Sequence, residues 1–230
     1  GFSYHRLGQN ERAIEDYDKA IDLDPNNARA YHNRGFSYHA LGQHQRAIEN
    51  YDKVIELDPN DAEAYNDRGF SYHRLGQNER AIEDYDEAIK LDPDNAEAYN
   101  NRGISYSNLD QDQQAIEDYD KAIELDRTAG RYKTRGHSYL ALGQYQRAIE
   151  DYDKAIELDP NDAAAYYNRG ISYHALGQYQ RAIEDYSKAI QLNPNAVNAY
   201  NNRAAAYRNL GQDGQADADE ATARSIRAFG

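Results

Sequence analysis

The feature that most constrains this chain is a pattern of about 34 residues that recurs along its whole length. One copy, Ala62–Asn95, reads AEAYNDRGFSYHRLGQNERAIEDYDEAIKLDPDN. Each half of this copy places small and apolar residues three and four positions apart, which predicts two amphipathic helices, over Glu63–Leu75 and Glu79–Leu91. One such helix pair is too small to cover its own apolar faces, so it must stack on neighbouring copies.

The chain holds seven copies, numbered here as repeats one to seven, and the first lacks the opening half of its first helix. We expect them to form one array over residues 1–230. All five prolines fall in one column after the second helix, and Asn or Asp precedes most first helices, as expected of helix stops and N-caps. The repeats span residues 1–27, 28–61, 62–95, 96–128, 129–162, 163–196 and 197–230.

Successive repeats share Ala-x-x-Tyr, Arg-Gly, Tyr-x-x-Leu-Gly-Gln, Ala-Ile-x-x-Tyr and Ala-Ile-x-Leu-x-Pro. In these residues and in this period the whole chain resembles the tetratricopeptide repeat family, with Tyr where many members have Trp. The resemblance implies an all-α fold, a right-handed superhelical solenoid of stacked antiparallel helix pairs. It also implies that the first helices line a concave groove and that the second helices lie outside.

Two repeats depart from the pattern. Repeat four has Asp110 in place of the turn Gly and Arg127 in place of the Pro, and it is one residue shorter, although Thr128 can still cap the next helix. We therefore predict an irregular segment over 108–130. Repeat seven has Glu220 in the column of Tyr85 and reads as a polar C-terminal cap.

Composition and charge exclude several functions. A net charge of −14 and a pI near 4.9 argue against nucleic acid or an anionic membrane as the main partner. The chain has no Cys and no long apolar run. His39, His73 and His174 share one column, but a whole helix pair separates them, so they cannot share an ion. We expect no catalytic residue, cofactor or metal; the compartment stays open, with the cytoplasm favoured.

Three kinds of column are predicted to be structural. The Tyr columns should form the core, and the Ser column should supply small packing residues. Each Arg of the Arg-Gly pair has an acid or amide sixteen residues later, which predicts an ion pair between the two helices of a repeat, with direct ligand binding by these arginines as the alternative. These pairs begin at Arg34, Arg68, Arg102, Arg135, Arg169 and Arg203.

Columns expected to face the groove, by the family resemblance, include those of Glu63, Asn66, Asp67, Phe70 and His73. The Asp67 column is mostly Asn, whose amide can both donate to and accept from the main chain of a peptide. Solvated polar residues on a groove wall are the alternative. The Phe70 column holds three of the four phenylalanines, each followed by a His three residues on, namely Phe2/His5, Phe36/His39 and Phe70/His73.

Exposed aromatics along a concave wall indicate binding, whereas packing against the neighbouring first helix is the alternative. The histidines are expected to gain charge between about pH 7 and pH 5. Phe or Ile stands where the clamp for chaperone C-termini would need Asn, so that function is not expected. The predicted peptide-binding groove comprises Asn33, Phe36, His39, Asn66, Asp67, Phe70, His73, Asn101, Ile104, Lys133, His137, Asn168, Ile171, His174 and Asn202.

The sequence therefore predicts a non-enzymatic scaffold that binds a protein or an extended peptide. Two alternatives stay open. In one, the array associates end to end, because the shortened first helix Phe2–Leu7 leaves Ile14, Tyr17 and Ile21 partly uncovered. In the other, the array is the recognition arm of a larger enzyme.

Overall fold

The structure is a computed structural model that describes residues 9–229. Within this range it contains thirteen α-helices and no strand. The helices are α1 Asn10–Leu23, α2 Ala28–Ala40, α3 His44–Leu57, α4 Ala62–Arg74, α5 Asn78–Leu91, α6 Ala96–Asn108, α7 Asp112–Leu125, α8 Ala129–Ala141, α9 Tyr145–Leu158, α10 Ala163–Ala175, α11 Tyr179–Leu192, α12 Val197–Asn209 and α13 Asp213–Phe229.

Helix boundaries follow the chemistry of the turns. Between the two helices of repeat three, Gly76 takes a left-handed φ of 74°, and the Gln77 amide donates to the Tyr72 carbonyl at 3.0 Å. Asp110 adopts the same turn with a φ of 58°. It is the only non-glycine residue with a positive φ in the described part of the chain, and the expected irregularity over 108–130 stays a prediction.

N-caps form at the predicted positions. The Asp61 carboxylate accepts a hydrogen bond from the Ala64 amide at 3.0 Å, and Thr128 caps α8 through the Arg131 amide at 3.4 Å. Each cap satisfies an amide that the first turn of the helix leaves without an intrahelical partner. The substitution of Pro by Arg127 therefore does not prevent α8 from starting where the repeat pattern places it.

The chain forms two compact units, an N-terminal unit of residues 1–125 and a C-terminal unit of residues 126–230. In each unit the two helices of a repeat pack against each other, and the second helix packs on the first helix of the next repeat. First helices of adjacent repeats also contact each other, α2 with α4 and α4 with α6 in the N-terminal unit, and α8 with α10 and α10 with α12 in the C-terminal unit. Each unit is thus an all-α stack of helix pairs, as predicted.

Between the two helices of a repeat, one Tyr column fills the space left by the Gly column. Tyr85 is fully buried, and a Cβ added to Gly69 would lie 2.9 Å from its ring. A larger residue at this position would push the helices apart. Of the three Tyr columns that we expected in the core, only this one is fully buried, whereas Tyr65 and Tyr72 are half-buried. Each of these two rings instead faces an arginine, Arg68 at 5.5 Å and Arg80 at 5.6 Å.

The buried Ser column supplies small packing residues, as predicted. Ser71 and Ser105 are fully buried, and each hydroxyl donates to the carbonyl four residues earlier. This internal bond lets a polar side chain be buried within the helix stack without an unsatisfied donor.

Within each unit, arginines of the Arg-Gly pair also contact the preceding repeat. Arg68 on α4 donates to Asp84 on α5 and also to Asp52 on α3, at 2.7 Å from Nη1. The contact with Asp84 confirms the predicted pairing sixteen residues on. The contact with Asp52, which belongs to the preceding repeat, was not predicted. Equivalent pairs to the preceding repeat join Arg34 to Asp18, Arg102 to Asp86 and Arg169 to Asp153.

The last helix, α13, differs from the other second helices. It contains 17 residues, and its buried residues are small or paired, namely Ala216, Asp219 and Ala223. Asp219 accepts from Arg203, so the Arg column keeps its partner here. Across the described residues, no helix combines the length and the apolar character that crossing a membrane would require.

Candidate peptide-binding face

Among the described residues, the first helices of the N-terminal unit carry two exposed phenylalanines. Phe36 on α2 is 45% exposed and Phe70 on α4 is 36% exposed. The Phe70 ring lies between two histidines, with ring centroids 4.9 Å from His39 and 6.3 Å from His73. Part of Phe70 therefore packs against the neighbouring first helix, and part faces solvent. Packing against the neighbouring first helix is thus observed for Phe70, whereas binding by its exposed part stays a prediction.

The two histidines beside Phe70 are fixed by hydrogen bonds from other elements. The Nδ1 atom of His39 lies 3.1 Å from the Ser71 hydroxyl and 3.2 Å from Nδ1 of His44. The Nδ1 atom of His73 lies 3.0 Å from the side-chain oxygen of Asn78 at the start of α5. These contacts hold the rings against Phe70, so the surface is ordered before any ligand arrives.

His39 does not titrate in the range expected from the sequence. Burial, with the nearby His44 and Arg74, lowers its pKa from 6.5 to about 4, and the Asp67 carboxylate opposes this shift only weakly. The expectation that His39 becomes charged between pH 7 and pH 5 is therefore wrong. At physiological pH this face presents a neutral imidazole beside Phe70.

The predicted asparagine ladder consists largely of contacts between repeats. Asn101 donates to Asn66 at 3.4 Å, and Asn202 donates to the Tyr167 hydroxyl at 3.0 Å; each pair is 35 residues apart. Asp67 and His32, at the same separation, lie 3.1 Å apart. Asn66 and Asn101 are buried, and their amides stabilise the packing of α4 on α6. Their proposed contact with a peptide main chain stays a prediction.

In the C-terminal unit, polar residues of the same face are also paired. Lys133 forms an ion pair with Asp162 at 2.5 Å, and Asn168 lies 2.8 Å from Nε2 of His137. Burial and the Lys133 charge lower the pKa of His137. A cavity of about 240 Å³ opens beside Ile171, with Ile171, His174, Ala175, Tyr186, Asn202 and Ala205 as its lining.

Other predicted residues take less distinctive positions. Ile104 is half-buried, and Asn33 lies beside two small cavities of the N-terminal unit. Phe2, His5 and the stretch Phe2–Leu7 fall outside the described residues. Self-association through the N-terminal end therefore stays a prediction.

Metal-ligating side chains lie close together at a position that the repeat columns did not indicate. Neither His39, His73 nor His174 belongs to a group of three or more such side chains within residues 9–229. His32, Glu63 and Asp67 do, with ligand atoms within 4.8 Å of one another. His32 has no equivalent in the other repeats, where its column holds Asn, Lys or Tyr. The occurrence of a single His in this column is the sequence signal that could have indicated the cluster.

Comparisons with known proteins identify the repeat. Sequence profiles described as "TPR repeat" match residues 1–42, 37–76, 71–110 and 136–177, and profiles described as "Tetratricopeptide repeat" match residues 96–128, 163–196 and 186–218. No protein of curated function matches the sequence.

Several solved structures share the fold. MamA is 30% identical, with a TM-score of 0.68 over 70% of this chain and 95% of its own. YrrB, described as a TPR protein with an unusual peptide-binding site, is 26% identical, with a TM-score of 0.68 over 81% of this chain and 96% of its own. A tetratricopeptide repeat protein from Parabacteroides merdae is 23% identical, with a TM-score of 0.74 over 98% and 90%. The chain therefore belongs to the tetratricopeptide repeat family.

Proposed function

We propose that the chain is a scaffold that binds an extended peptide or partner segment along the face of its first helices, without catalysing a reaction. The fold is of the protein-interaction scaffold type. The observation that carries the proposal is the pair of exposed phenylalanines, Phe36 and Phe70, at one column of two adjacent repeats. Aromatic side chains are enriched among the residues that dominate binding energy, so two exposed rings on neighbouring first helices favour binding.

Helix spacing suggests the form of the ligand. Packed helices lie about 8–10 Å apart, and an extended chain in the polyproline II conformation advances about 3.1 Å per residue and repeats its side-chain direction every three residues. A ligand that runs across α2 and α4 would therefore meet Phe36 and Phe70 with side chains about three residues apart. We expect two apolar residues at that separation to anchor it, because buried aromatic contacts usually dominate binding energy. His39 and His73, which hold Phe70 from both sides, preorganise the surface.

The remaining residues of the proposed site form one set in each unit. In the N-terminal unit they are Asn33, Asn66, Asp67, Asn101 and Ile104. The same face of the C-terminal unit provides Lys133, His137, Asn168, Ile171, His174 and Asn202 as a separate set. Support from relatives comes from YrrB, which is described as having a peptide-binding site.

The test is a selection of binders from a random peptide library against the intact chain. Captured peptides should share two apolar residues about three positions apart. They should bind Phe70→Ala poorly and Leu57→Ala normally. Leu57 lies at the end of a second helix and is 37% exposed, so its truncation removes apolar surface of similar exposure elsewhere. Peptides that bind both variants equally well would place the site on another surface.

A further inference from the structure

A cluster of three ionisable side chains lies at the junction of repeats two and three. His32 belongs to α2, whereas Glu63 and Asp67 belong to α4 and are four residues apart, on one side of that helix. Their ligand atoms all lie within 4.8 Å of one another. His32 and Asp67 are mostly buried, whereas Glu63 is exposed.

The buried nitrogen of the His32 ring faces a carboxylate oxygen. Its Nε2 atom is buried and has no hydrogen-bond partner of adequate geometry among the described residues, although Asp67 Oδ2 lies only 3.1 Å away. A buried imidazole nitrogen this close to a carboxylate oxygen suits either a shared proton or a shared cation. The Asp67 carboxylate also receives a hydrogen bond from the Asn66 amide through its other oxygen, at 3.3 Å. Oδ2 therefore remains directed to His32.

The geometry matches the spacing of metal ligands. Zinc binds imidazole nitrogen at about 2.0–2.1 Å and carboxylate oxygen at about 2.0–2.2 Å. Two such ligands at octahedral or tetrahedral angles lie about 2.8–3.5 Å apart. The separation of 3.1 Å between His32 Nε2 and Asp67 Oδ2 falls in this range. Glu63 is long and exposed, so a change of rotamer can bring its carboxylate to the same point.

Space for further ligands is present. A cavity of about 460 Å³ opens beside His32 and Glu63, and Arg29, Asn33 and Asp61 also line it. Asp61 caps α4 and so contributes charge and not a ligand atom. The positive charge of Arg29 opposes a cation, but the two carboxylates of the cluster outweigh it.

We propose that His32, Glu63 and Asp67 bind a divalent transition-metal ion such as Zn²⁺. One imidazole and two carboxylates suit zinc, cobalt, nickel or manganese, whereas calcium and magnesium prefer oxygen ligands alone. Three protein ligands leave at least one coordination position for water or for a carboxylate of a partner. Because the ligands come from adjacent repeats, the ion links α2 to α4.

The chain itself suggests the test variants. Asn66 and Asn101 occupy the columns of His32 and Asp67 one repeat later and hydrogen-bond to each other. The double substitution His32→Asn with Asp67→Asn should therefore preserve the packing while removing two ligands. His174→Gln, on the C-terminal unit, is the control for adventitious binding by histidine.

The experiment is a titration of the intact chain with Zn²⁺ in competition with a chromophoric chelator, paired with thermal melts. The wild type and His174→Gln should bind one ion per chain at micromolar concentration or below and melt at a higher temperature with zinc. Glu63→Gln should weaken binding at least about ten-fold, and the double variant should lose both effects while melting like the metal-free wild type. Equal zinc affinity in the wild type and the double variant would overturn the proposal. No zinc binding by the wild type would overturn it too, and would assign the contact to a protonated His32 paired with Asp67.

Discussion

Arg68 holds Asp84 through two parallel hydrogen bonds, Nε to Oδ2 at 2.9 Å and Nη2 to Oδ1 at 2.6 Å. The planar guanidinium matches the carboxylate, and its third contact, with Asp52, belongs to the preceding repeat. One side chain thus joins three helices. Asp84 is buried, so its charge depends on this partner.

Removal of the arginine should be strongly destabilising. Arg68→Ala leaves the buried Asp84 carboxylate without its partner, and we expect a loss of about 3 kcal/mol in the free energy of unfolding. Asp84→Asn should be much milder, because repeat two already uses Asn50 in this column, where it accepts from Arg34 at 2.7 Å. Urea unfolding of both variants measures the difference. Equal losses of unfolding free energy in the two variants would show that the unpaired, buried charge of Asp84 does not cause the destabilisation.

Substitution of a glycine in the Gly column by alanine should destabilise the chain. Gly69→Ala would bring a Cβ to 2.9 Å from the Tyr85 ring, and overpacking of this kind costs about 1–3 kcal/mol. Gly214→Ala is the control, because a Cβ there meets nothing within 4 Å and Ala favours helix by up to about 1 kcal/mol. Thermal melts should rank Gly69→Ala below the wild type and Gly214→Ala level with it or above. A stable Gly69→Ala would mean that α4 and α5 can separate without loss.

Repetition explains how far the sequence predicted this fold. The Gly69–Tyr85 contact and the Arg68–Asp84 pair join residues of one repeat at a fixed separation, so repeats two to six show the same signal again. The Arg68–Asp52 contact is just as regular, but it runs backwards to the preceding repeat, and the columns alone do not say which neighbour lies closer. Contacts within a repeat were therefore predicted, and this contact between repeats was not.

Replacement of Asp110 by Gly should stabilise the chain. Asp110 has a φ of 58°, where a side chain costs up to about 1–2 kcal/mol and Gly costs nothing comparable. We expect Asp110→Gly to raise the free energy of unfolding by about 0.5–1 kcal/mol. Gly76→Asp, the reverse change at the equivalent turn, should lower it by a similar amount. Hydrogen exchange should also find 108–130 the least protected internal segment in the wild type, and uniform protection there would contradict this account.

Acid should destabilise the chain partly through His39. Its pKa is about 4 in the folded chain and near 6.5 when unfolded, so between these values only the unfolded chain takes up the proton. Stability from this group is therefore complete above about pH 6.5 and falls as the pH drops toward 4. His44, Arg74, Asp67 and the Ser71 hydroxyl face the ring and set this balance.

The matched variant is His39→Leu, because Leu140 fills the equivalent column in repeat five. Its melting temperature should fall less between pH 7.5 and pH 5 than that of the wild type. All other titrating groups are common to both proteins, so the difference reports on position 39. Parallel pH curves would show that folding does not change the pKa of His39.

The candidate site was less predictable than the fold because its properties depend on distance and not on repetition. Phe36 and Phe70 were identified from their column, and both are exposed. The pKa of His39 depends on burial and on the nearby His44 and Arg74. The repeat pattern carries no information on these interactions. His32 occurs only once in its column, so the repeat pattern does not indicate it. Its proximity to Asp67 becomes visible only when adjacent helices are placed side by side.

The most direct test of the proposed function is calorimetric titration of a library-selected peptide into three proteins, the wild type, Phe70→Ala and Leu57→Ala. Loss of the Phe70 ring should weaken binding by about 1–2 kcal/mol, which corresponds to roughly five- to thirty-fold, whereas Leu57→Ala should bind like the wild type. The melting temperature of Phe70→Ala should fall by no more than about 4 °C. Unchanged affinity in Phe70→Ala, or weaker binding that merely follows a large loss of melting temperature, would contradict a peptide site at Phe70.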